Sequence, residues 1–104
     1  MDNAKILDAL NQRFPGKDNN GKLKTAYFEK LLAMRSETLF RETKDKIWLS
    51  AYASNNPRSD YHWQVDACYM VYHLRGDEHA YKQAFRQVYI SQFGRDPYPE
   101  EEAV

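Results

Sequence analysis

Tyr61-His62-Trp63-Gln64-Val65-Asp66-Ala67-Cys68-Tyr69-Met70-Val71-Tyr72-His73-Leu74-Arg75 carries apolar residues on more than one side of a helix. At the roughly 100° per residue of an α-helix, Tyr61, Val65, Cys68 and Tyr72 form one apolar line. Trp63, Ala67, Met70 and Leu74 form another on nearly the opposite side. A surface helix needs one apolar face, and a helix with two is covered from both sides. Residues 60–75 are therefore expected to be a buried central helix. Ser59 or Asp60 can cap its start, and Gly76 can stop it in the left-handed conformation that glycine tolerates.

Four further amphipathic segments surround this one. Downstream, Asp77 opens a helix in which Tyr81, Ala84, Phe85, Val88, Tyr89 and Phe93 form an apolar stripe, and Gly94 ends it. Upstream, no Gly or Pro occurs between Lys22 and Asn56. The apolar stripe nevertheless rotates: Phe28, Leu32 and Leu39 lie on one line, Phe40, Ile47 and Ala51 on another. That rotation predicts two helices, from about Thr25 and from a break near Arg35-Ser36-Glu37-Thr38, with Ser36 or Thr38 as cap. Ser54-Asn55-Asn56-Pro57 closes the second of these. Near the N-terminus, Ile6, Leu7, Leu10 and Phe14 fit a first helix over 3–14, stopped by Pro15-Gly16. No segment alternates long enough for a strand. The expected fold is all-α, a compact four- or five-helix, bundle-like domain over 1–95, followed by a mobile acidic tail over 96–104.

Composition narrows the function classes. One cysteine, Cys68, rules out an intramolecular disulfide, and 104 residues make one domain. The polar start Met1-Asp2-Asn3-Ala4-Lys5 has no apolar signal core, and no run is long enough to span a bilayer. These features place the chain in a reducing cytoplasm. Net charge is zero, yet Asp96, Glu100, Glu101 and Glu102 carry four of the fifteen acids, which leaves the body mildly basic.

Between the two apolar lines of the central helix runs a polar one, His62, Asp66, Tyr69 and His73. His62 and Asp66 are spaced to share a ligand, but a metal there would need partners from another helix, such as His79 or Glu78, and His73 lies three turns away. A hydrogen-bonded seam joining helices, with Asp66 fixing the tautomer of His62, accounts for the same residues. Ser59, His62 and Asp66 share one turn and helix, an unsuitable layout for a triad. The turn from Gly16 to Leu23 resembles the middle of an EF-hand calcium loop, with Gly21 central, Asp18 and Asn20 at ligand positions and Leu23 at the apolar one. Gly16 and Tyr27 stand where the first ligand and the bidentate acid belong, so a tight turn explains it better. Cys68 has no basic neighbour on its helix and reads as a core thiol. No phosphate loop, nucleophile elbow or HExxH motif occurs, and no cofactor is implied.

Two surfaces are left. Lys82, Gln83, Arg86 and Gln87 with Arg75 and Arg95 could meet phosphates and base edges along the 77–93 helix. Fifteen aromatic residues exceed what a small helical core easily hides, and Tyr, Trp and Arg are favoured interface anchors. Ile90 and Tyr98 fall outside the expected core. The leading expectation is a non-enzymatic binding module, a regulator or inhibitor of a protein partner, with Lys82, Arg86, Ile90, Arg95 and Tyr98 as candidate contacts. Small solitary helical domains of this kind are common among phage and mobile-element regulators. A nucleic-acid-binding regulator comes second, and a metal-dependent enzyme at His62 and Asp66 third.

Overall fold

Helix ends in this chain are set partly by glycine and partly by one distant arginine. A computed structural model describes residues 22–53 and 60–98. Among the described residues it shows four α-helices and no strand: α1 (Lys22–Leu32), α2 (Ser36–Trp48), α3 (Asp60–Leu74) and α4 (Glu78–Phe93). A π-helical turn, Leu49–Ala53, continues α2. The helix expected over 3–14, the turn before Lys22, the Ser59 cap and the tail from 99 lie outside the described residues.

Gly76 and Gly94 have positive φ, 68° and 70°. At Gly76 the chain closes a full Schellman motif, with Asp77 N–H donating to Tyr72 O at 2.9 Å and Gly76 N–H to His73 O at 3.1 Å. At Gly94 a single bond to Ile90 O, 2.8 Å, ends α4. The expected break between the second and third helices falls at 33–35, but neither Ser36 nor Thr38 caps α2. Arg35 does so in extended conformation (φ −69°, ψ 160°) without a side-chain bond, and its carbonyl accepts from Leu39 N–H at 2.9 Å.

α1 has no glycine at its end. Glu29 O and Leu31 O accept from Ala33 N–H and Met34 N–H. Arg75, just past α3, gathers carbonyls at and beyond the end: its Nη2 donates to Met34 O at 2.6 Å and Leu32 O at 3.3 Å, with Leu31 O at 3.5 Å. A cation at a helix C-terminus is also favoured by the helix dipole. Arg75→Ala should cost about 1–3 kcal/mol, the scale of charged hydrogen bonds lost, measured by urea denaturation. Arg75→Lys, with charge but no fork, should recover only part. An alanine variant as stable as the parent would show that α1 ends without this clamp.

α3 is the central helix, packed against α1, α2, α4 and the π-helical turn. Its burial differs in shape from two opposed faces. Trp63, Ala67, Cys68, Val71 and Tyr72 are all buried, whereas Tyr61, Val65, Met70 and Leu74 are only partly so. The two apolar lines are the margins of one wide arc that closes through Val71. The polar line occupies the remaining side. Phe28, Leu31 and Leu39 complete this core, and Ile47 with Ala84 and Val88 forms a second between α2 and α4. No described helix is long and apolar enough to cross a membrane.

Candidate binding surface

The polar line of α3 is divided between two environments. His62 Nδ1 lies 2.6 Å from Ser50 Oγ, on the π-helical turn. That partner had no signal in the sequence, because it depends on where the wide turn brings Ser50. Asp66, partly buried, faces Tyr81 of α4. Burial first, and the Asp66 charge second, push the Tyr81 hydroxyl up to about 12. Farther along, Tyr69 and His73 are exposed and stack at 6.4 Å, and both reach Glu78: His73 Nδ1 lies 2.5 Å from Oε1 and Tyr69 OH donates to Oε2 at 3.2 Å. Those two contacts hold the Glu78 carboxyl below its ordinary range. Among the described residues no group of three or more His, Cys, Asp or Glu could hold a metal ion.

Cys68 is buried beside a polar group inside the core. Tyr27 OH donates to Glu42 Oε2 at 2.6 Å and lies 3.8 Å from Cys68 Sγ. Lys46 faces Glu42 from one turn on, at 3.6 Å. Burial, above all, pushes the Cys68 thiol up to about 11 and the Tyr27 hydroxyl higher still. A thiol held in its neutral form is a poor nucleophile.

The candidate cations of α4 are turned to the chain's own C-terminal segment. Arg86 Nε donates to Asp96 Oδ1 at 3.2 Å and Nη2 bonds Oδ2, a two-pronged pair with side chains only 12% and 8% exposed. Lys82 Nζ stands 4.4 Å over the Tyr98 ring. Asp96 to Tyr98, the start of the segment expected to be tail, is thus laid on α4. Arg95 is exposed, Gln87 accepts from Lys44 at 3.2 Å, and Gln83 meets His79 at 3.4 Å.

Along the same helix runs a ladder of rings. Tyr98 and Phe85 are 6.4 Å apart, Phe85 and Tyr89 6.1 Å, Tyr89 and Phe93 4.6 Å, and Phe93 and Tyr52 5.6 Å. The i, i+4 spacing of Phe85, Tyr89 and Phe93 drifts round the axis, so the ladder leaves the core as it nears Gly94. At that end Phe93 is 52% exposed, and Ile90, three residues earlier, is 39% exposed. Trp48, 42% exposed, lines a neighbouring cleft with Val88 and Ser91. Tyr52, Phe93 and Trp48 were not singled out as contacts in the sequence. The meeting of Tyr52 with Phe93 depends on the path of the π-helical turn.

No protein family matches the chain, and no characterised protein or solved structure matches it significantly. What fold and surface together define is a class: a small all-α domain with a ring-lined apolar surface at one end of its last described helix.

Proposed function

We propose that the chain is a cytoplasmic helical binding module, a regulator or inhibitor, that meets a protein partner through the apolar end of α4. The observation that carries this reading is the exposed end of the ring ladder. Phe93 packs against Tyr89 and Tyr52 while half its surface stays exposed, and a ring braced by two others has less rotamer freedom to lose on binding. Ile90, three residues before it and exposed, adds apolar area whose removal from water is favourable at roughly 25 cal/mol per Å². Pre-positioned aromatic anchors of this kind dominate protein interfaces. The nucleic-acid reading is weakened by the engagement of Lys82 and Arg86 with Tyr98 and Asp96, since cations already matched to a ring and a carboxylate offer less to phosphates.

Capture of lysate proteins by the immobilised chain tests the reading. Nuclease treatment should leave the captured set unchanged, and Phe93→Ser should reduce it by roughly ten-fold or more, as for an interface anchor. Because Phe93 is half exposed, the variant should keep its fold by circular dichroism. Capture that disappears with nuclease, or that ignores Phe93→Ser, would defeat the reading.

A further inference from the structure

Arg86 lies on the side of α4 away from the buried Ala84 and Val88, where an ordinary arginine would extend into water. Instead it is nearly covered, because the chain reverses after Gly94 and lays Asp96 across it. Three recognitions then converge on a three-residue segment. The guanidinium fork takes both carboxylate oxygens of Asp96. Tyr98 N–H donates to Asp96 Oδ1 at 2.8 Å, fixing the turn between them. The Tyr98 ring meets Phe85 at 6.4 Å and lies under the Lys82 ammonium at 4.4 Å.

At Tyr98 the segment borders open space on this face of α4. A cleft of about 540 Å³ continues past Tyr98, walled by Tyr69, Tyr81, Phe85 and Lys82, with Glu78 at its side. Tyr98 is one wall of this cleft rather than its plug. The surface therefore offers a carboxylate fork, a ring platform and an open, partly apolar cleft in succession, more than Asp96 to Tyr98 alone use.

We propose that this surface of α4 receives an acidic, aromatic peptide segment of the partner, with a carboxylate two residues before a tyrosine, and that the chain's own Asp96–Tyr98 is an internal competitor for it. This rests on the binding-module reading and names the chemistry of one partner segment. A ligand that places the same carboxylate on Arg86 and carries a further apolar group can also fill the cleft. The tethered segment holds the site at high effective concentration, which lowers apparent affinity for any ligand in trans until the segment is displaced.

The probe is a fluorescein-labelled peptide with the chain's own sequence from 94 to 104, titrated by fluorescence anisotropy into full-length chains. The double variant Asp96→Ala/Tyr98→Ala should bind it roughly ten-fold or more tightly than the parent, since the tethered competitor is gone. Adding Arg86→Ala, or replacing the peptide's aspartate with alanine, should remove binding. If the double variant does not melt cooperatively, Tyr98→Ala alone carries the test, again with a gain in affinity expected. A folded variant that ignores the peptide, or one that binds without Arg86, would overturn the proposal. So would light scattering that shows parent chains paired by exchange of their own segments. If the peptide fails while Phe93→Ser still abolishes capture, the binding module stands and only this inference falls.

Discussion

Trp63→Ala should destabilise the domain by about 3–5 kcal/mol, as buried large-to-small changes of an aromatic do. The indole is nearly buried in α3, Tyr27 meets it edge-on at 5.6 Å, and the Lys24 ammonium stands 5.3 Å above it. Lys24 is itself buried, so the substitution removes the ring its ammonium rests on and opens a cavity beside it. For a domain of this size each kcal/mol is worth roughly 4–8 °C of melting temperature. The variant should thus melt well over ten degrees lower, if it folds at all. Trp63→Phe, which keeps a ring, should lose distinctly less. A Trp63→Ala variant melting within a degree or two of the parent would contradict the placement of α3 at the centre.

Alkaline pH should unfold the protein through the same core. Burial is the leading cause of the raised values at Tyr27, Cys68 and Tyr81. All three groups are neutral when protonated, so the folded state keeps protons that the unfolded chain releases. Through these groups stability should stay flat from neutral pH up to the ordinary thiol value of 9.0 and fall as pH rises towards about 11, the Cys68 value in the fold. At 1.36 kcal/mol per pH unit that interval assigns Cys68 roughly 2–3 kcal/mol. The tyrosines add to the loss above pH 10. Urea denaturation of the parent and of Cys68→Ala at pH 7, 9 and 10.5 separates the contributions. The variant should start lower but decline less steeply between pH 9 and 10.5. Parallel declines would show that the thiol takes no part.

Period and punctuation made most of this architecture legible in the sequence. The rotation of the apolar stripe from the Phe28, Leu32, Leu39 line to the Phe40, Ile47, Ala51 line pointed to a break without any glycine or proline, and Gly76 and Gly94 marked the ends of the last two described helices. Four-residue lines on α3 were less informative, because they left out Val71, the residue through which the buried arc closes. The contacts that shape the surface were out of reach for a common reason. Arg75 reaches α1 across more than forty residues, Ser50 reaches His62 only because the turn after α2 is π-helical, and Asp96 reaches Arg86 only because the chain reverses at Gly94. Spacing along a single helix carries no trace of such meetings. Ile90 was legible as an outward apolar residue, whereas the ladder that supports Phe93 beside it required Tyr52 from another element.

The proposed recognition through apolar and ring contacts with protein leaves little for phosphates to bind. Titration of labelled duplex DNA and of single-stranded RNA into the Asp96→Asn chain at about 0.15 M salt puts this to the test. That variant releases Arg86 from its carboxylate and so gives nucleic acid its best opportunity. No binding tighter than about 100 µM, the weak end of non-specific affinity, is expected. Micromolar binding that falls steeply with salt and vanishes in Lys82→Glu and Arg86→Glu would contradict it, and would make α4 a nucleic-acid-binding helix.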